Sequence, residues 1–344
     1  MNLKLTVHVV TSERLHLLQR CCRSVLAALP KEAQLVVTVN GRDEASCRWL
    51  SQNKNPALRY SVVPFDCLPV RRNEALDMCS GDILYCLDDD VEVPNDLFKV
   101  ALDEFEKDAD LAILGGPNIT PPESSFLEKL FGAVMTSAFA APMIRVRYGG
   151  GSQSKRLATE RELIFCNLAI RKSSIPSGIQ FRKCLKANEE NVFLSECRSA
   201  ALKTVFLPKL AVYHRRRKDV SGFFQQVCHY GVGRGQQWAL WPQSCHPAFL
   251  VPALAIALAC GLIVTAYPFW LAVALVIHQA SSLIFAYFSG VRSLGWKAMV
   301  LAGPLTGLIH LAHGLGFWKG CVLGLRQKFQ PGTFLFPHLP PARL

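Results

Sequence analysis

A chain of 344 residues, half of them hydrophobic and with a formal net charge of +12, has ample material for one large domain or two ordinary ones. The basic excess suits anionic partners such as nucleotide phosphates and lipid head groups. With no recognition-helix, zinc-finger or RNA-stacking motif in the chain, no nucleic-acid partner is expected. Thirteen scattered cysteines without a C-x-x-C pair argue against a disulfide framework or a structural zinc site, and for reduced, buried thiols in a cytosolic domain.

The opening run Leu5–Ser12, LTVHVVTS, has the composition of a strand and is too short and broken for a signal peptide. Glu13–Pro30 carries apolar residues at helical spacing, Ala33–Gly41 is a second strand, and Glu44–Gln52 is a helix. Leu58–Pro64 follows as a third strand and Pro69–Gly81 as a helix stopped by glycine. Asp82–Asp90 is an apolar strand ending in three aspartates, succeeded by a helix over Pro94–Asp108 and a strand over Leu111–Pro117. Strands alternating with helices imply an α/β domain with a Rossmann-like, mainly parallel sheet, and we assign it residues 1–240. Ligands gather at the carboxyl ends of strands in such sheets, which sets Thr11, Asn40 and Asp88, Asp89 and Asp90 around one crevice.

Within that domain, residues 123–147 are apolar at helical spacing and end in basic residues and glycines. The segment is either a core helix or an amphipathic element resting on the bilayer surface. Glu162–Ile175 returns as a strand, Ala187–Cys197 begins a helix with Glu189 and Glu190, and Lys203–Lys218 supplies one more strand and a basic cluster. Residues 247–328 form a hydrophobic membrane region. Two spans, 247–267 and 268–289, each have about the ~20 residues a bilayer requires. A third stretch, 298–325, is a span, a broken helix or a re-entrant element, and residues 329–344 form a short tail. The first two spans make a hairpin that keeps the α/β domain in the cytoplasm, so the chain is expected to be a multi-pass protein of the plasma (inner) membrane.

Three features carry chemistry. An isolated D-x-D is more often a solvated loop, but here it ends an apolar strand, and a helix bearing Arg72 and Asn73 precedes that strand. Asp88 and Asp90 are therefore candidate ligands for Mg²⁺ or Mn²⁺, which take one or two carboxylates and fill their other positions with phosphates and water. Glu189 and Glu190 are either partners of a helix dipole or a general base for an acceptor hydroxyl. In the VYHRRRK segment, His214 is a candidate metal ligand, and Arg217 together with the later Arg234 can hold phosphate oxygens, although such a basic cluster also suits anionic lipid. Gly231, Gly233 and Gly235 resemble a phosphate loop without its strand-loop-helix context. His310 and His313 lie one helical turn apart, as a buried pair or a functional site.

The order of these motifs (LTVHVVTS, RRNEALDMCSGDILYCLDDDVEVP, NEENVF, and YHRRR with FFQQVCHYGVGRG) resembles the family 2 glycosyltransferases, which have a GT-A fold and use nucleotide-sugar donors. With the trailing hydrophobic segments it is most similar to the membrane-attached bacterial exopolysaccharide enzymes of the succinoglycan type. The resemblance implies that Thr11 contacts the nucleotide base and that Asn40 stands where an acidic residue usually binds the nucleoside. It further implies Arg72 and Asn73 at the donor and Asp88 and Asp90 on the metal. Asp89, in the middle of the triplet, faces either the sugar or ribose, or only water. Glu190 becomes the base, with Glu189 beside it. The implied reaction is an inverting, hexosyltransferase-type displacement from a nucleotide-diphosphate sugar to a hydroxyl of a polyprenyl-linked acceptor at the lipid bilayer. GRGQQW has the residues of the processive synthases' Q-x-x-R-W in the wrong order, which argues against a polymerising synthase. The alternatives are a polyprenyl-phosphate glycosyl synthase, and a non-catalytic membrane scaffold that retains the fold.

Overall fold

The computed structural model describes residues 3–63, 67–182, 185, 187–264 and 268–329. In chain order, the first elements are β1 (Leu5–Thr11), α1 (Leu15–Ala28), β2 (Gln34–Asn40), α2 (Glu44–Gln52), β3 (Leu58–Val63) and α3 (Leu68–Met78). Then come β4 (Ile83–Asp88), β5 (Val91–Glu92), α4 (Leu97–Lys107), β6 (Leu111–Gly115), β7 (Asn118–Ile119) and α5 (Phe126–Val134). β8 (Arg156–Leu157), β9 (Asn167–Arg171), α6 (Glu189–Ser199), β10 (Lys203–Phe206) and β11 (Val212–His214) follow. The last helices are α7 (Val220–Leu240), α8 (Val251–Val264), α9 (Pro268–Tyr287) and α10 (Trp296–Phe329). The chain divides into two compact units. One comprises Met1–Ile119, Gln153–Lys183 and Glu190–Arg215; the other comprises Thr120–Ser152, Cys184–Glu189 and Arg216–Leu344. The amphipathic segment and α7 thus belong with the C-terminal helices, whereas the sequence reading attached them to the α/β domain.

In the first unit an eight-stranded sheet has the order β3-β2-β1-β4-β9-β6-β10-β8. β3, β2, β1 and β4 run parallel, β9 is antiparallel to both β4 and β6, β10 is parallel to β6, and β8 is an antiparallel edge. Every residue of β1 is buried, as a parallel strand with both faces covered requires. Helices cover it with stripes such as Leu97, Phe98, Ala101 and Phe105 of α4, whose spacing is that of one helical face. A smaller sheet has the order β5-β11-β7, with β11 antiparallel to β5 and parallel to β7. The single strand expected over Lys203–Lys218 is therefore two. Pro208 lacks the N–H a ladder needs, and the chain turns there, with Leu210 N–H donating to Leu207 O at 3.0 Å, before it continues in the smaller sheet.

In the second unit α5 starts at a reciprocal cap between Ser125 and Glu128, and its Phe131 stacks on Phe223 with ring centroids 4.3 Å apart. The helical pattern expected to 147 ends at Val134. Turns follow, then a 3-10 turn at Arg145–Tyr148 that stops at Gly149 with φ 85°. Among the described residues, three helical stretches are long and apolar enough to cross a membrane: Pro247–Val264, Phe269–Tyr287 and Trp296–Phe329. The junction residues 265–267 lie outside the described residues. The third stretch is one continuous helix that takes Pro304 in its interior. Its 34 residues give a length of about 51 Å. Gly231 and Gly235, expected to resemble a phosphate loop, are inside α7 and let α10 approach. A methyl group at Gly235 would sit 2.0 Å from Phe317 O, and one at Gly320 would sit 2.1 Å from Val232 O. This close backbone contact is typical of small-residue packing between membrane helices.

His8, in the middle of β1, is wholly buried and shares a 2.8 Å hydrogen bond with Thr38 Oγ1. Burial, followed by the charges of Arg72 and Arg71, pushes its pKa down to about 3. The folded protein holds this imidazole neutral while the unfolded chain takes a proton below about 6.5. The stability it confers is full above pH 6.5 and is lost as the pH falls from there toward 3. Melting of the detergent-solubilised protein should show this component, approaching about 1.4 kcal/mol per pH unit, and H8Q should lack it.

Candidate active site

β4 is a rigid support. Ile83 to Leu87 are buried between β1 and β9, and the strand ends by presenting Asp88 beside Val10 at the carboxyl edge of β1. Asp89 and Asp90 then form the two-residue passage from β4 of the large sheet to β5 of the small one. The three aspartates divide there. Asp89 turns inward and is 0% exposed. Its Oδ2 accepts the Thr11 hydroxyl at 2.7 Å, and its Oδ1 pairs with Arg14 Nη2 at 2.6 Å. Arg14 Nη1 donates to Asp90 Oδ2 at 3.0 Å. Asp90 Oδ1 lies 3.1 Å from His214 Nε2, an approach fixed by β11, where Arg215 N–H donates to Asp90 O at 3.2 Å.

Asp88 faces Arg72, with Oδ1 and Nη2 3.8 Å apart. The same guanidinium lies 3.9 Å, through Nη1, from Glu190 Oε2 in the first turn of α6. Both separations are ion-pair distances longer than a hydrogen bond. Arg72 is 4% exposed and stacks 3.6 Å above the Phe165 ring. Phe165 meets Phe181 edge-on, and Phe181 stacks on Phe193 of α6. Next to Arg72, Asn73 clamps the backbone of Phe181, donating to its carbonyl and accepting from its N–H, both at 3.0 Å. Arg71 Nη1 donates to Thr11 O at 2.6 Å.

The electrostatics follow from this crowding. Burial pushes the Asp88 carboxyl up, the Arg72 charge opposes it and the Asp90 charge adds to it. Burial likewise pushes Asp89 up, to about 7, against the nearby Arg14. Burial alone would lower the Arg14 guanidinium, yet the three aspartates hold it above its ordinary value. At Asp88 and Asp89, burial together with the neighbouring carboxylates outweighs Arg14 and Arg72. Asp88, Cys166 and His214 each bring one ligand atom within 4.8 Å of the others, and Asp90 adjoins His214. Carboxylate and imidazole donors so placed fit a divalent cation.

The first unit thus brings Thr11, Arg72, Asp88, Asp89, Asp90, Glu190 and His214 into one chain of contacts. Asn40 ends β2 next to β1 and shapes the turns there: its Nδ2 donates to Ser12 Oγ at 3.1 Å, and its Oδ1 accepts from Arg42 N–H at 3.1 Å. Glu189, Arg217 and Arg234 belong to the second unit. Glu189 is buried and Arg217 exposed, and Arg234 is committed to packing there, 3.9 Å above Phe249 and donating to Gln237 Oε1 at 2.9 Å. Sequence reasoning missed Arg14, Phe165 and Cys166. Arg14 carried a signal, because a cation at a helix N-terminus opposes the dipole and calls for a carboxylate partner. Cys166 carried none within its apolar run.

Residues 6–173 match the family model described as glycosyl transferase family 2. No curated protein sequence matches the chain. Among solved structures, the mannosyltransferase PcManGT from Pyrobaculum calidifontis, in complex with GDP-Man and Mn²⁺, is similar with a TM-score of 0.57 at 16% identity, covering 92% of this chain and 88% of that one. TarS 1-349 from S. aureus, in complex with UDP-GlcNAc, has a TM-score of 0.50 at 14% identity, covering 97% of this chain and 93% of that one. At these identities the two structures speak for the fold, GT-A, while the match over residues 6–173 speaks for the chemistry. The chain is a glycosyltransferase, with the family 2 match confined to residues 6–173.

Proposed function

We propose that the chain is an inverting, metal-dependent hexosyltransferase that moves a sugar from a nucleotide-diphosphate donor to a hydroxyl of a polyprenyl-linked acceptor at the cytoplasmic face of the plasma membrane. The observation that carries this reading is the position of Arg72, within 4 Å of both Asp88 on the donor side and Glu190 on the acceptor side. Asp88, Asp90 and His214 would hold Mg²⁺ or Mn²⁺, which when bound neutralises the charge of a departing diphosphate. Arg72, held flat on Phe165, presents a fixed positive charge where negative charge develops on the leaving group, and so needs no reorganisation during the reaction. Glu190 removes the acceptor hydroxyl proton as that oxygen attacks the anomeric carbon from the face opposite the nucleotide. Thr11 and Asn40 border the nucleoside end of the crevice, while Asp89 and Asn73 support it from beneath.

The complexes of the two similar enzymes support a nucleotide-sugar donor as a class. One holds GDP-Man with Mn²⁺ and the other UDP-GlcNAc, so donor class is what they share. The three long apolar stretches after the catalytic unit support a lipid-borne acceptor and a multi-pass attachment.

With a hydroxyl acceptor, E190Q should lower turnover by about 10²–10⁴-fold with donor affinity retained, measured as sugar transfer to a polyprenyl-diphosphate sugar in detergent. Near-normal turnover would instead favour a lipid phosphate as the attacking group. D90N should abolish Mn²⁺-dependent binding of nucleoside diphosphate in titration calorimetry while the melting curve stays cooperative. R72M removes the buried guanidinium shared by Glu190 and the half-buried Asp88 and should destabilise the protein by about 3–5 kcal/mol. R72K keeps the charge but not the planar stack; it should fold and lose kcat/KM.

A further inference from the structure

Cys166 is 1% exposed and sits immediately before β9. Because Leu87 pairs with Asn167 in the antiparallel β4–β9 ladder, one further step in register sets Cys166 opposite Asp88. Its Sγ lies within 4.8 Å of ligand atoms of both Asp88 and His214. A thiol is a poor partner for Mg²⁺ and a strong one for zinc. One sulfur, one imidazole nitrogen and one carboxylate oxygen make a donor set that zinc accepts in tetrahedral geometry.

We propose that Cys166 is a metal ligand, and that it turns the donor-cation site into a high-affinity seat for Zn²⁺ that excludes the working ion. Coordination forms an S–Zn bond and releases the Cys166 proton to solvent. Zinc also outranks Mn²⁺ for a common ligand set, and a Zn²⁺ held by Asp88, Cys166 and His214 occupies ligands the working ion needs. Zn²⁺ is therefore an inhibitor that binds through a residue the Mg²⁺- or Mn²⁺-loaded state does not need. The inference rests on the metal-dependent reading above.

The test is metal binding by the full-length, detergent-solubilised protein, with Co²⁺ as the spectroscopic probe for Zn²⁺. The wild-type Co²⁺ complex should show a near-ultraviolet thiolate charge-transfer band that one equivalent of Zn²⁺ removes. In C166S the band should be gone. Zn²⁺ affinity should fall by more than the roughly 10–100-fold that loss of a mere outer hydrogen-bond partner costs, while Mn²⁺ affinity changes only a few-fold. C166A provides a second variant, and absence of the band from the wild-type spectrum decides against the proposal even if neither variant folds. A wild-type complex without the band, a band that persists in C166S, or equal Zn²⁺ affinity in C166S would overturn the proposal. Absence of sugar transfer with any metal would instead end the functional reading and leave the zinc result standing.

Discussion

The catalytic unit depends on one buried guanidinium. Arg72 keeps its charge at any physiological pH, and a charge taken out of water is tolerated only with partners around it. Here those partners are Asp88 at the end of β4, Glu190 at the start of α6 and the face of Phe165. Three elements far apart in sequence are thereby tied to one group. The aromatic floor extends the tie: Phe165, Phe181 and Phe193 meet in sequence, and Asn73 fixes the backbone of the middle one. Asp88 and Glu190 thus share one guanidinium held on that stack.

A second constraint is the passage of strands between sheets. β4 runs on into β5, β6 into β7 and β10 into β11, each leaving the large sheet for the small one. The aspartates occupy the first of these passages, and His214 ends the last. Backbone hydrogen bonds of the small sheet, not a flexible loop, bring the imidazole to Asp90. The three carboxylates are held close together there, and burial first, then their mutual repulsion, raises the Asp88 and Asp89 carboxyls.

Much of this was legible in the sequence because period and punctuation agree along the first 117 residues. Apolar runs of strand length alternate with helical stripes, and the Asp88–Asp90 charges stand where a strand must stop. What the sequence hid was local. β11 has three residues, too few to show a period, so it merged with β10 across Pro208. The alternation rule fails in a two-residue turn, so nothing in DDD says that its middle member faces inward to Thr11 and Arg14. Cys166 was masked by the apolar residues around it, since a thiol suits a core as well as a metal. The spacing of GVGRG was ambiguous without a strand-loop-helix context: glycines at Gly231 and Gly235 serve backbone approach between helices as readily as they serve phosphate.

That helix seam has a consequence for how the protein can drift over generations. The outward faces of α8 and α9 carry Leu254, Leu258, Val276 and Ile284 in the open, where any residue of similar oiliness would do. Along Gly235 and Gly320 there is no room for even one added carbon. The second unit therefore combines an apolar surface almost free to vary with a line of positions frozen by volume alone. Descendants of this chain should diverge first in the exposed apolar residues and last in the places where it has no side chain at all.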